Sequence, residues 1–292
     1  WYGAQMTATR RSAGGFNRPG EPKFEPSRGA PDMAALRRAY FDLFIQDRLN
    51  VEAGLYPAPN DLRLRDLPNA LKSARAFRED VAEVDRRRKA RDGAEIRDSL
   101  PGQSNRYPEY YTQNFHYQSG GWFTDESAQL YDTQVEALFT GTADAMRRAA
   151  LAEISRELKG RDQRRVRLLD LACGNGRFLS RVMHVYPRLQ ASGLDLSPSY
   201  TEAARKRLSH WPLAEVARVL KPGGLFILAD STQFGDYPEM DGLLEYFPHG
   251  FHEPYYEGYL SWDMAAACTG AGLTAERETL AFLTKVTTWR KP

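Results

Sequence analysis

Cysteine and histidine are scarce in this chain: two cysteines, Cys173 and Cys268, and five histidines in 292 residues. Two thiols do not make the disulfide framework of a small secreted domain. No histidine stands at metal-ligand spacing from a cysteine or an acid. A surplus of charge of one sign is also lacking, since 40 Lys and Arg face 38 Asp and Glu for a net charge of +2. That balance removes any global pull toward nucleic acid or a membrane surface. The densest basic run, Arg86-Arg87-Arg88-Lys89, is diluted by Glu83, Asp85 and Asp92 and reads as a solvated helix face. No apolar run approaches the ~20 residues of a membrane span. These absences lead to the expectation of a soluble, cytoplasmic protein with no metal, no nucleic-acid partner and no membrane span.

What is present is enough apolar material for a core: 42% of residues are hydrophobic, although a mean hydropathy of −0.58 marks polar surfaces and tails. Residues 1–31 are rich in Gly, Pro, Arg and Ser and are expected to form a disordered tail. Residues 32–160 read as a helical extension. Asp32 can cap a helix over about 32–56, with Leu36, Tyr40, Leu43, Phe44 and Asp47 at helical spacing. Prolines break it in "YPAPNDLRLRDLPNA". A second helix covers about 69–91, with Leu71, Ala74, Phe77, Val81 and Val84 on one face, and a loop follows at 99–108. The stretch "EYYTQNFHYQSGGWFTDESAQLYD", residues 109–132, is dense in aromatics and turns at Gly120-Gly121. Its aromatics either pack the extension onto the next domain or line a ligand site at that junction. Thr124 opens another helix, and a further helix runs to Gly160.

From residue 161 the pattern changes. "RVRLLDLACGNGRF" is a short apolar strand, a glycine turn and a helix to about Val185. "LQASGLDLS" is a second strand ending in an acid. "SPSYTEAARKRLSH" is a helix with Ser197 as cap and Pro198 in its first turn. "PLAEVARVL" reads as another helix and "GLFILAD" as a third apolar strand. A helix follows at about 261–270, then two strands, "LTAERETL" and "AFLTKVTTWRK". Apolar strands alternating with helices predict an α/β fold: a Rossmann-like, mostly parallel sheet with helices on both faces.

The chemistry gathers at the first turn. Asp170 ends a strand, Gly174 and Gly176 let backbone approach a ligand, and a helix N-terminus follows. Asp195, ending the second strand, is placed to bond the hydroxyls of a ribose. A dinucleotide fingerprint would carry a small residue where Leu179 stands. Asp170 would also repel a pyrophosphate and favour an amino group.

"LLDLACGNGRF", "GLDLS" and "EVARVLKPGGLFILAD" together resemble the class I S-adenosylmethionine-dependent methyltransferases. "FHYQSGGWFTDESAQLYD" and "FHEPYYEGY" resemble the quinone-biosynthesis subgroup. The resemblance implies S-adenosylmethionine as cofactor and methyl transfer to a small organic acceptor of aromatic or apolar character. It implies that Asp170, Ala172, Cys173, Gly174 and Gly176 surround the methionine part. Asp195 would hold the ribose and Leu196 would lie against the adenine.

The family's sheet order, 3-2-1-4-5-7-6, includes a third and a fourth strand for which this chain has no room. Leu208 is followed by Ser209-His210-Trp211-Pro212, so residues 208–213 form a seam where several dozen residues are missing. A reduced sheet, 2-1-5-7-6, is therefore expected. An alternative function is a degenerate, non-catalytic binding protein that lacks part of the cofactor site. Candidate acids and bases are Asp230, His249, His252 and Glu253, amid Phe234, Tyr237, Phe247, Tyr255 and Tyr256, with His116 and Tyr117 from the extension. His184 and His210 read as ordinary helix residues. The oligomeric state is left open.

Overall fold

The computed structural model describes residues 22–59, 67–94, 96, 107–210 and 220–292. Helix α1, Met33–Glu52, starts where Asp32 accepts hydrogen bonds from the Ala34 and Ala35 amides. Its buried face is Ala35, Ala39, Leu43, Asp47 and Asn50. That face is rotated from the expected one, and Phe44 stays exposed. The cause is close approach to an alanine-rich partner, α4 (Ala143–Leu158), where small side chains let the helices sit near each other. Between them Arg148 grips Asp47 with two hydrogen bonds of 2.8 and 2.7 Å, and the Tyr56 hydroxyl donates to the same carboxylate.

Helix α2 spans Leu67–Ala90. Of its expected apolar face, the side chains of Leu71, Ala74 and Phe77 lie outside the described residues, and Val81 and Val84 are half-buried. The Arg86–Lys89 run is not a solvated face throughout. Arg87 and Arg88 are buried, because Arg87 donates to the Tyr117 carbonyl and the Ser119 hydroxyl and Arg88 pairs with Asp85. Their charges are matched where they are desolvated. Helix α3, Asp125–Leu138, is capped by Thr124, which accepts from the Ser127 amide.

Strand β1, Arg167–Leu171, helix α5, Arg177–Val185, strand β2, Gln190–Leu194, and helix α6, Pro198–Arg207, follow in the expected order. The strands are parallel, Asp170 standing opposite Gly193. Their helices bury Leu179, Val182, Met183 and Leu208 against α4 in one core cluster. Beyond the seam come β3, Leu225–Ser231, α7, Asp241–Gly250, α8, Tyr256–Leu260, α9, Met264–Gly270, β4, Thr274–Ala281, and β5, Thr284–Arg290. The expected helix "PLAEVARVL" falls almost wholly on residues 211–219, outside the described residues.

The fold is mixed α/β with a reduced, Rossmann-like parallel unit, but the sheet is not continuous. β1 pairs with β2, while β3, β5 and β4 form a separate antiparallel sheet in that order. Each half keeps the expected neighbours, 2-1 and 5-7-6. The pairing across the middle, between β1 and β3, is absent. The third apolar strand is thus antiparallel to its neighbour and does not extend a parallel sheet. The hydrogen-bonding edge of β3 is taken up by β5 along its whole length, Leu225–Ser231 against Thr284–Arg290, and β3 does not reach β1. The consequence is exposed apolar surface at the strand ends, with Leu171 60% and Leu194 58% exposed.

Residues 22–31, expected within a disordered tail, form no helix or strand but are held in place. Glu245 accepts from the Ser27 and Arg28 amides, each at 3.0 Å. The Arg28 guanidinium lies 3.9 Å from the Phe234 ring centroid, and Phe24 stacks on His249.

Candidate functional site

The first cluster lies where β1 and β2 end. The chain leaves β1 through Ala172, with φ +57°, then Gly174 at +56° and Gly176 at +74°. A left-handed alanine costs about 1 kcal/mol or more and is held by its surroundings. At Gly176 a Cβ would meet Ala204 and Leu208 of the α6 segment at 3.0–3.1 Å, so glycine lets α5 start close against α6. Asp195 accepts from the Gly174 amide through Oδ2 at 2.8 Å, and from the Ser197 amide through Oδ1 at 2.8 Å. It therefore fastens the glycine turn to the end of β2. The Tyr111 hydroxyl also donates to Asp195 Oδ1, at 3.3 Å.

Asp170 is different. Its Oδ2 is buried and has no hydrogen-bond partner. Burial, with the Asp195 charge second, raises its carboxyl to about 7. A carboxylate kept from water without a donor is costly unless a cation or donor meets it. Cys173 is no nucleophile: burial and then the charges of Asp170 and Asp195 push its thiol up to about 12. Ala172 and Leu196 are exposed beside the turn. All seven residues expected at the cofactor site thus come together at the C-terminal ends of β1 and β2, where open α/β sheets bind ligands.

Sequence reasoning missed the support behind this turn. Asn175 is buried. Its amide donates to Asp132 Oδ1 at 3.1 Å and accepts from Arg207 at 2.8 Å, while Arg207 also pairs with Asp132 at 2.6 Å. Arg177 adds an ion pair to Asp132 at 3.4 Å and one to Asp144 at 2.5 Å. Arginine–carboxylate pairs spaced by 33 to 75 residues leave no local signal in the sequence.

The second cluster joins the extension to the segment after α7. His116 Nε2 lies 3.0 Å from Glu253 Oε1. His116 has φ +53° and Tyr117 +57°, two successive left-handed residues that aim the imidazole at Glu253. Phe247 and Phe251 meet the ring edge-on, each at 5.6 Å. Burial, helped by His252, holds His116 down at about 4, and burial with Asp230 pushes Glu253 up to about 7. The imidazole is therefore neutral at pH 7, with its Nδ1 buried and without a hydrogen-bond partner.

His252, next to Glu253 in sequence, turns the other way and bonds Gln113 Oε1 at 2.7 Å. Asp230 is open to solvent at the end of β3, yet it lies deep enough among protein atoms for its carboxyl to be raised by burial. Tyr256 bonds the neighbouring Ser231 hydroxyl at 2.7 Å. His249 stacks on Phe24, with ring centroids 4.3 Å apart. A chain of ring contacts, Tyr111–Tyr110–Tyr255, runs from the first cluster toward the second. A cavity of about 180 Å³ lies elsewhere, between α1, α4 and β4. Its polar lining, Asp47, Asn50, Tyr56 and Arg156 among it, is bonded to itself.

Among the described residues no group of three or more His, Cys, Asp or Glu could hold a metal ion, and no helix is long and apolar enough to cross a membrane. No family model matches the chain, and no curated protein matches it. Solved structures do resemble it in arrangement. The CurJ carbon methyltransferase is 13% identical, with TM-score 0.43, over 99% of this chain and 89% of that one. The DszA carbon methyltransferase is 13% identical, with TM-score 0.39, over 99% and 88%. The O-methyltransferase NcsB1, in complex with S-adenosyl-L-homocysteine and 1,4-dihydroxy-2-naphthoic acid, is 15% identical, with TM-score 0.31, over 85% of each chain. Likeness this low carries no argument about activity, which has to come from the two clusters themselves.

Proposed function

We propose that this chain is an S-adenosylmethionine-dependent methyltransferase acting on a small organic acceptor of aromatic or apolar character. The observation that carries the reading is the orphaned carboxylate of Asp170 beside a left-handed glycine turn and a ribose-placed acid. An ammonium group fits that carboxylate, and a phosphate does not. The residues present suit the cofactor: Asp170, Ala172, Cys173, Gly174 and Gly176 for its methionine part, Asp195 for the ribose and Leu196 for the adenine. When bound, the cofactor supplies a methyl group on a sulfonium, ready for in-line displacement.

The chain's own part is to position and to take a proton. Residues 32–160 serve as a helical cap and 161–292 as the cofactor domain. Burying the acceptor among Phe247, Phe251 and Tyr256 excludes water and holds it in line, which supplies much of the rate. Neutral His116 accepts the acceptor's proton at one ring nitrogen, and Glu253 orients the ring and stabilises its charged form. Burial, with the Asp230 charge second, raises the Glu253 carboxyl to about 7. His252 supports the pair through the His116 amide, which donates to the His252 carbonyl.

Incubation with methyl-labelled S-adenosylmethionine and a panel of small phenols, enols and amines tests the reading. Label should move to one acceptor class. His116→Gln should lower kcat by about 10²–10⁴-fold without altering cofactor affinity. Absence of transfer to every acceptor, by protein that binds the cofactor, would leave only the binding half of the proposal.

A further inference from the structure

In the resembled family, strands for which residues 208–213 leave no room supply part of the wall around the nucleoside base. Among the described residues, the chain on either side of Asp195 carries exposed leucines, Leu194 at 58% and Leu196 at 53%. Something else closes that side. The Tyr111 hydroxyl reaches Asp195 Oδ1 at 3.3 Å from the helical extension. Around it Tyr107 is stacked at 5.9 Å between centroids and Trp122 at 6.4 Å, with Phe123 edge-on at 5.5 Å. The cluster is anchored. Ser197, the cap of α6, donates to the Trp122 carbonyl, Ser199 donates to the Phe123 carbonyl at 3.1 Å, and Ser127 bonds the Tyr200 hydroxyl at 2.9 Å. An aromatic cluster is thus fixed beside Asp195, near the end of β2 where Leu194 and Leu196 are exposed.

We propose that Tyr111, backed by Tyr107, Trp122 and Phe123, is the base-recognition platform of the cofactor site and takes the place of the wall that the sheet lacks. The inference rests on the S-adenosylmethionine reading and sharpens it. A ribose bonded to Asp195 places its base within one ring's reach of Tyr111. A purine presents a π-face that stacks on an aromatic side chain or lies against leucine. The Tyr111 hydroxyl donates to Asp195 Oδ1, an acceptor that ribose hydroxyls take over, while its ring stays held in the aromatic cluster beside the base. Tyr111 then contributes to specificity through its ring, and its hydroxyl is dispensable.

Calorimetry of the full chain with three probes, S-adenosylhomocysteine, adenosine and methionine, tests this. Tyr111→Ala should weaken S-adenosylhomocysteine and adenosine by about tenfold or more, the size of one lost base stack. It should leave methionine within twofold. Tyr111→Phe should keep affinity for all three near the wild-type values, and it also controls for folding, which far-ultraviolet circular dichroism of both variants checks. Quenching of Trp122 fluorescence by adenosine should accompany binding. If wild type binds S-adenosylhomocysteine and folded Tyr111→Ala binds it equally well, the platform is wrong and the cofactor reading stands. If wild type binds none of the three, the cofactor reading fails and the platform falls with it.

Discussion

Asp170 is the residue on which most depends. Its carboxyl is raised to about 7 by burial and by Asp195. A raised acid holds its proton longer in the folded state than in the unfolded one, so it lowers stability as pH rises from about 4 to 7, and the penalty is constant above. Asp170→Asn removes the penalty. Thermal melts of the ligand-free protein should show the variant more stable than wild type at pH 8 and equal to it at pH 4. Ligand affinity has the opposite dependence. An ammonium needs the ionised carboxylate, so the affinity of wild type for S-adenosylhomocysteine should rise from pH 5 to 7 and level off above. Nothing in the residue pattern marks this acid as unpartnered, since its position at a strand end is visible but the donors around it are not. For His116 and Glu253 each residue was visible as a candidate, but not their pairing. Contact across 137 positions depends on two left-handed residues, His116 and Tyr117, that no local pattern announces.

At the scale of elements, α1 and α4 are joined by the buried Asp47–Arg148 pair, whose side chains are 9% and 8% exposed. Removing one partner leaves a charge in the core, so Asp47→Ala should cost about 3–5 kcal/mol in urea unfolding. Restoring shape without the charge, as Asn, should cost less. Asp132 plays a comparable part for the glycine turn, because it bonds Asn175 and pairs with Arg177 and Arg207. Asp132→Ala should loosen the turn and weaken S-adenosylhomocysteine binding, even though Asp132 is not among the proposed cofactor contacts. Helix and strand boundaries were largely legible: caps at Asp32, Thr124 and Ser197 start the helices they suggest. The inner face of α1 was not, because alanine at an interface leaves no strong periodic signal.

For the whole molecule the decisive feature is the break between two sheets. The sequence leaves no room for a strand between Leu208 and Pro212 and predicts the neighbour pairs 2-1 and 5-7-6. It did not show whether β3 would move over to β1, because that depends on hydrogen bonds β3 already makes with β5. A two-stranded unit with exposed ends is less protected than a central strand with partners on both sides. Hydrogen exchange should therefore be slower over Thr284–Arg290 than over Arg167–Leu171 in ligand-free protein. Cofactor binding should slow exchange at β1 and the glycine turn and leave β5 unchanged. On the proposed reading, the first cluster supplies the methionine and ribose contacts. The aromatic extension, through the proposed Tyr111 platform, closes the remaining side on that reading.

The most direct measurement is calorimetric titration of S-adenosylhomocysteine into wild type and Asp170→Asn at pH 8. The account predicts one site per chain in wild type and at least tenfold weaker binding in a variant that melts no lower. Equal binding by the two proteins, or none by wild type, would contradict it.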